Sequence, residues 1–432
     1  MSQPQQSWLG KGIALLIIGL LIGSGIGIFV GPGVLGGAAP TGTTLSGDIN
    51  IGALLSLTGD LRTFGENERA GLELARNDIN NWLTTIRPGV RVQLVIEDTA
   101  TQPQQALEKL QALNARGIKF VVGPLSSGEV RNLKTYADQN NVLIASQSST
   151  AVDLATGGDN IFRFIPDDRA QGPALARLMW DAGIRHYIPI WRGDTYGDGL
   201  KGSTEAAFKK LGGTVDEGIR YNTEAKEFGT EVTTLATKVQ SAVSSRSAGQ
   251  VAVHLIAFEE AVTMLNEANK RDILKQVRWF GSDGTAGAGS LQNDAISGAF
   301  NQQTKFLHTI FAPTTSDLFN RVRQNIMSQV GREPDTYTYT IYDILWVYTL
   351  SILAVNKYDP TAVKQLLPII AGRYFGASGW TTLNDAGDRV GGDYDVWALE
   401  KSDGAFGWKI VGTYIASSDK VAWKPGFEAK YA

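Results

Sequence analysis

Two short stretches of this sequence concentrate small hydroxyl side chains. Ser126 and Ser127 stand beside Gly128 in GPLSSGE, and Ser146, Ser148, Ser149 and Thr150 stand in SQSSTAVD. Each follows a brief apolar run with the character of a buried strand. Hydroxyls at such strand ends, together with the free backbone N–H groups of a helix N-terminus, can hold a carboxylate. Plain helix capping is the alternative for either loop alone. Two such loops on successive strands, facing one crevice, bring the two readings level. Asp283, in WFGSDGTAG, lies just past another apolar run, where its carboxylate can hold an ammonium group; otherwise it forms an Asx-turn beside Gly284. Tyr196, in DTYGDG, either packs its ring on a ligand or covers a strand end. Together these residues suggest a carboxylate-binding pair of loops facing an ammonium partner, which a zwitterion would bridge.

Other chemistry is thinly represented. The chain has no cysteine, so disulfides, thiolate metal sites and cysteine nucleophiles are excluded. His186, His254 and His308 lack metal-ligand spacing, and His186 and His254 read as satisfied structural residues within strands. There is no Gly-x-Gly-x-x-Gly after the first strand, no Walker loop and no Gly-x-Ser-x-Gly elbow. Asp167 with Asp168, and Glu259 with Glu260, are adjacent carboxylates that point in different directions, which is no glycosidase arrangement. Trp82, Trp180, Trp346 and Trp397 read as packing residues rather than a sugar platform. With 40 basic and 43 acidic residues and no basic run, nucleic acid is not an expected partner. No metal, cofactor or catalytic residue is expected.

The elements that must position these residues follow an α/β rhythm. The 432 residues suggest two domains, and 43% hydrophobic content is enough to build two cores. Strands are expected at Asn50 to Leu57, Val92 to Glu97, Phe120 to Val122 and Val142 to Ala145. Helices from about Glu66 to Trp82 and Gln102 to Arg116 alternate with them. A second series follows Phe164: a helix from Ala170 to Ala182, a strand from Tyr187 to Trp191, a helix to Leu211 and a helix from Phe228 to Ser244. It continues with a strand from Val251 to Ala257, a helix from Phe258 to Lys270 and a strand from Val277 to Gly281. Later helices (Asp317 to Val330, Thr336 to Asn356) and strands (Tyr394 to Leu399, Trp408 to Ile415) must be shared between two lobes. In open parallel sheets, ligands bind outside the carboxyl ends of the strands, where the hydroxyl loops fall.

The N-terminus is of a different kind. Gly12 to Val30 carries no charge, and Lys11 is the only charged residue before Asp48. The run is long enough to span a bilayer and exceeds the usual signal-peptide apolar core. A retained membrane anchor is therefore expected in preference to a cleaved signal. Lys11 would leave the remainder of the chain outside the cell. Residues 31–47, rich in Gly, Pro and Thr, read as a flexible stalk.

Several segments together resemble the leucine/isoleucine/valine-binding protein family, the type I solute-binding proteins of ABC importers. The likeness runs from about Asp48 to Leu399. Its segments are IGALLSLTGDLRTFGENERAGLELARNDIN, FVVGPLSSGEV, VLIASQSSTAVDL, FRFIPDDRAQGPALARL, DTYGDGL, WFGSDG and TYTYTIYDIL. Their order and spacing are more specific than any one of them.

The resemblance implies two doubly wound Rossmann-like lobes, joined by a multi-strand hinge, that clamp an amino acid. Lobe 1 would comprise residues 48–167 and 313–393, and lobe 2 residues 168–312 and 394–432, with residues 1–30 as anchor or signal. It also implies that Ser127, Ser148 and Thr150 hold the α-carboxylate and Asp283 the α-ammonium. Phe64, Tyr196 and Tyr337 would be the pocket aromatics, with Phe258 a fourth if one residue is gapped. Asp283 is one methylene shorter than the family's usual Glu, Phe64 lacks a hydroxyl that Tyr often supplies, and the segment around Ser241 to Gly249 is longer. The implied partners are ABC permease subunits and the membrane, and the implied location is the extracellular face or, after cleavage, the periplasm or medium. The alternatives are a sensory ectodomain and a binder of urea or short amides.

Overall fold

Strands such as FVV and LIAS are apolar on both faces, which suits a sheet covered by helices on both sides. The computed structural model describes residues 45–432, and the expected anchor and stalk lie almost wholly outside them. The first sheet has β1 (Gly47–Leu55), β2 (Val90–Asp98), β3 (Phe120–Val122), β4 (Leu143–Ser146) and β5 (Ile161–Arg163), all parallel in the order β2-β1-β3-β4-β5. Helices α1 (Arg62–Ile86), α2 (Pro103–Ala115) and α3 (Ser127–Asn140) make the crossovers. Successive residues of β3 and β4 feed opposite cores. Phe120, Val122, Leu143 and Ala145 pack with α1, whereas Val121 and Ile144 pack with α2 and α3.

The second sheet is larger. Its elements begin with α4 (Asp168–Asp181), β6 (His186–Arg192), α5 (Thr195–Lys210), β7 (Thr214–Val215), β8 (Ile219–Tyr221) and α6 (Gly229–Ser245). They continue with β9 (Val251–Ile256), α7 (Ala261–Ala268), β10 (Arg278–Gly281), α8 (Gly289–Asn293), α9 (Ala295–Gln303) and β11 (Leu307–Phe311). The chain then returns to cover the first sheet with α10 (Asp317–Val330), α11 (Tyr337–Val355) and α12 (Pro360–Ala371). A small hairpin, β12 (Phe375–Gly376) and β13 (Gly379–Trp380), precedes β14 (Tyr394–Ser402), β15 (Ala405–Ile415), β16 (Lys420–Trp423) and α13 (Glu428–Tyr431). The strand order is β16-β15-β14-β11-β10-β9-β6-β7, with β8 also on β6; β14 to β16 are antiparallel additions.

The chain therefore passes between sheets three times, at residues 164–167, 312–316 and 390–393. Two of the crossings are pinned together by a buried bidentate pair. Arg163 donates from Nε and Nη2 to Asp388 at 2.6 Å each. Its remaining nitrogen donates to the Ala151 carbonyl at 2.7 Å, tying the hinge to the second hydroxyl loop. Helix α11 has no single apolar stripe because it is enclosed on nearly every side, and its buried Thr, Ser and Asp side chains are hydrogen-bonded locally or to neighbouring segments. Among the described helices, it is the one long and apolar enough to cross a membrane, and here it is core.

Most expected elements lie within a few residues of those observed. The helix expected from Phe258 to Lys270 starts only at Ala261, because Phe258 to Glu260 form a turn, with the Phe258 N–H donating to the Glu260 carboxylate. Strands β5 and β11 were not anticipated: three residues are too few to show alternation, and LHTIF mixes polar with apolar residues.

Candidate functional site

The hydroxyls of the first loop divide the work. Ser126 caps α3, its Oγ accepting from the Glu129 N–H at 3.2 Å while the Glu129 carboxylate accepts from the Ser126 N–H at 3.0 Å. Ser127 is thereby free of capping. Its Oγ accepts from the Thr150 and Ala151 N–H groups at 3.2 Å each and bonds the Ser149 hydroxyl at 3.1 Å. Ser148 donates to the Leu125 carbonyl at 2.6 Å, and Ser146 to that of Pro124 at 2.7 Å. The two loops are stitched into one polar surface at the ends of β3 and β4. Helix capping and the bridging of the two loops thus fall on neighbouring serines.

Opposite them, Asp283 follows β10. Its Oδ1 accepts from the Tyr196 hydroxyl at 2.6 Å and Gln171 Nε2 at 3.2 Å, and its Oδ2 accepts from the Tyr337 hydroxyl at 2.5 Å. Burial pushes this carboxyl upward, while the phenol and amide donors hold it down. Tyr196 stacks on Phe258 at 5.2 Å between centroids, and the Arg192 guanidinium also lies over the Phe258 ring, 3.7 Å from its centroid. Phe64 tilts against Tyr337 at 6.0 Å.

Phe64, Ser127, Ser148, Tyr196, Phe258, Asp283 and Tyr337 line one cavity, with Leu61, Leu125, Ser126 and Gly284 completing it. Thr150 does not line it; its N–H is held by Ser127 and its carbonyl accepts from the Asp168 N–H at 2.9 Å. The cavity measures about 20 Å³, because the lobes are shut. Across their rim the Thr63 N–H donates to the Glu259 carboxylate at 2.8 Å, and the Glu259 N–H to the Asp60 carbonyl at 3.0 Å. Arg131 Nε also reaches the Thr195 hydroxyl at 2.7 Å. A larger opening, about 960 Å³, lies elsewhere, beside the hinge. The interlobe cavity is nevertheless the one where opposite chemistries converge.

A sequence profile described as "Receptor family ligand binding region" matches residues 67–402. The chain belongs to this ligand-binding-region family. Its relatives are type I periplasmic binding proteins. It is 31% identical to an uncharacterised protein of Methanocaldococcus jannaschii over 89% of this chain and 94% of that one. With the Leu/Ile/Val-binding protein homolog 3 of Brucella melitensis it shares 27% identity over 84% of this chain and 93% of the relative. The crystal structure of a leucine-binding protein from Thermotoga maritima superposes with a TM-score of 0.71 at 18% identity, covering 87% of this chain and 98% of the other. The fold of this ligand-binding-region protein is thus the type I periplasmic-binding-protein fold.

Several polar residues around the ligand-binding-region cavity were not singled out from sequence. Asp168, the first residue of α4, is fully buried, and neither carboxylate oxygen has a hydrogen-bond partner among the described residues. Burial raises its pKa well above the ordinary range and the Asp283 charge adds to that; the facing Thr150 hydroxyl only moderates it. Asp283 thus lines the cavity, with a second buried carboxylate, Asp168, close enough for the two charges to act on each other. Gln171 links Asp283 to the Thr309 carbonyl at 3.1 Å. The sequence signal for Asp168 was hidden, since an acidic residue after the N-cap Asp167 looks like ordinary first-turn chemistry. The histidine expectation needs correcting for His254. Neither ring nitrogen of His254 has a partner among the described residues, so it is buried but unsatisfied there. His186 sits half-exposed at a strand end, bonded to Thr214 at 2.8 Å.

Proposed function

We propose that this protein is an extracellular solute-binding component of an ABC importer that captures an amino acid with an apolar side chain and presents it to a permease. The supporting observation is the convergence of the Ser127–Ser148 surface and Asp283 on one interlobe cavity. The ligand carboxylate would sit on the Ser127 and Ser148 side, near the N-terminus of α3. Its ammonium would take the place of the phenol donors on Asp283, with the Asp168 charge behind it. Phe64, Phe258, Tyr196 and Tyr337 would enclose the side chain. Thr150 would act through the loop it helps to shape.

Binding would proceed by hinge closure. A ligand that touches both lobes favours the shut state, and a permease that recognises the shut state receives loaded protein. The residues before the first described strand would tether the protein to the outer face of the membrane. No chemical step is assigned to the site. Calorimetric titration of the purified chain with leucine, isoleucine, valine and other amino acids tests the reading. Asp283→Asn should weaken binding by roughly 10- to 150-fold, the equivalent of about 1.5–3 kcal/mol for a hydrogen bond to a charged group. Unchanged affinity in that variant, or no response to any amino acid, would remove the amino-acid assignment.

One observation favours a second reading. Asp283 already accepts three hydrogen bonds and the cavity is small, which suits a neutral ligand such as urea or a short amide. Heat evolved with acetamide or urea and none with amino acids would select it.

A further inference from the structure

The opening of about 960 Å³ lies on the opposite side of the hinge from the interlobe cavity. The sheet order fixes this placement. Asp283, Phe258 and Tyr196 follow β10, β9 and β6, to one side of β11, whereas Asp395 and Trp397 on β14, with Trp408 and Thr413 on β15, lie to the other. Lobe 1 supplies the facing wall from Phe319 and Arg323 on α10 and Tyr339 on α11. Two of the three crossings, at Ala312 to Thr315 and Val390 to Asp393, form its base. A rotation that brings the lobes together on one side of these crossings spreads them on the other. The structure has the two openings in that relation: about 20 Å³ where the lobes are shut and about 960 Å³ behind.

The rear cleft carries the features of a built site. Trp380 presents its ring at 58% exposure at the rim, and the partly exposed Phe319 adds flat apolar surface to the lining. The Trp397 indole N–H and the Tyr339 hydroxyl have no hydrogen-bond partner among the described residues, although these side chains are only 3% and 2% exposed. Burying such groups without a partner is costly. The charges around them are unevenly matched. Arg323 is paired with Glu333, but Arg389, Lys409 and Lys424 have no carboxylate within ion-pairing distance among the described residues. Of the remaining acids, Asp395 accepts from the Thr413 hydroxyl at 2.7 Å and Asp393 from the Ala416 N–H at 2.9 Å. What complements this lining is a flat ring bearing an anionic hydrogen-bond acceptor.

We propose that the rear cleft is a second binding site, for a small aromatic carboxylate, and that its occupant wedges the hinge in the shut state. The ring would lie against Trp380, and the lining would yield enough to let the carboxylate accept from the buried Trp397 Nε1 and Tyr339 hydroxyl, with Lys409 and Lys424 as the available cations. Because the cleft is wide when the front is shut, its ligand favours the state that also holds the front ligand. Reciprocal tightening of the two ligands follows from linkage. This coupling rests on the amino-acid reading of the front site; the existence of the rear site does not.

Naphthalene-2-carboxylate is a suitable probe, titrated calorimetrically into the full chain with and without saturating leucine. One molecule should bind, at least tenfold more weakly in Tyr339→Phe and in Trp380→Ala. Tyr339→Phe deletes only a hydroxyl that has no hydrogen-bond partner among the described residues, so its melting temperature should not fall. Leucine should strengthen probe binding, and the probe leucine binding, by the same factor. No binding, competition between probe and leucine, or indifference to both rear variants would overturn the proposal. Probe binding that depends on Tyr339 and Trp380 in a protein that ignores leucine would uphold the rear site and remove the amino-acid reading of the front one.

Discussion

Asp168 and Asp283 set the pH behaviour expected of the front site. Burial raises both above the ordinary carboxyl range, so the folded, ligand-free protein holds these protons more tightly than the unfolded chain. Their contribution to stability is complete below the unfolded carboxyl range near 4 and is lost as pH rises through the elevated folded values. An ammonium ligand needs the opposite protonation state. Amino-acid affinity should therefore fall as pH drops through those values, with protons released on binding, and calorimetry in two buffers of different ionisation enthalpy would count them. A neutral amide would show no such release. His254 works in the other sense. Burial lowers it from 6.5 to about 3, so the stability it confers is present above 6.5 and is lost as pH falls toward 3. The slope is up to about 1.4 kcal/mol per pH unit. His254→Leu should flatten the acid limb of a melting-temperature profile and leave the protein at pH 5 more stable than the parent. At this scale the sequence was legible where a residue type was unusual for its place, as with serines clustered at strand ends. Asp168 and Gln171 were not legible, because their significance depends on Asp283 and Thr309, more than a hundred positions away.

The elements that carry the site depend on close contact between strand ends and helix starts. Gly65, next to Phe64 in the first turn of α1, leaves no room for a side chain: a Cβ there would stand 2.0 Å from the Ser56 carbonyl oxygen. Gly197, next to Tyr196 in α5, would meet the Arg192 carbonyl oxygen at 2.0 Å. Both obstacles are backbone, so the helix itself must shift. Gly65→Ala and Gly197→Ala should each cost roughly 1–3 kcal/mol in denaturant unfolding and weaken ligand binding by displacing the adjacent ring. The alternation of strands and helices was readable because most elements are long enough to show their period. The exceptions have physical reasons. β5 is too short, and α12 begins with Pro at N1 and contains Pro368, so its amphipathic stripe is masked by residues that usually mark breaks. Helix α11 shows the reverse: it satisfies the length and hydropathy of a membrane span, and only its packing between α1 and α12 identifies it as core.

For the molecule as a whole, the shut state is held by few contacts across the rim. Glu259 makes two of them, accepting from the Thr63 N–H and donating its own N–H to Asp60. Glu259→Ala removes the first and should shift the ligand-free protein toward open forms. Small-angle scattering should then give a larger radius of gyration that returns to the parent value on saturation with ligand, with weaker apparent affinity in proportion to the lost shut population. Two lobes were legible from length and repetition. The alternating pattern alone left open which late segments return to which lobe, since that depends on the three crossings, and only the family resemblance implied a division. Those crossings also govern how the protein is made. The first sheet is complete at Arg163, but α11, which seals one of its faces, is not reached until Tyr337. At 5–20 residues per second, the ribosome takes about 10–35 s to synthesise the stretch between them. Throughout that interval Ile49, Ile51, Phe120 and Leu143 have no α11 to cover them, so the nascent chain offers chaperones an apolar sheet face, and synthesis halted near residue 312 would yield an aggregation-prone fragment instead of a free-standing lobe.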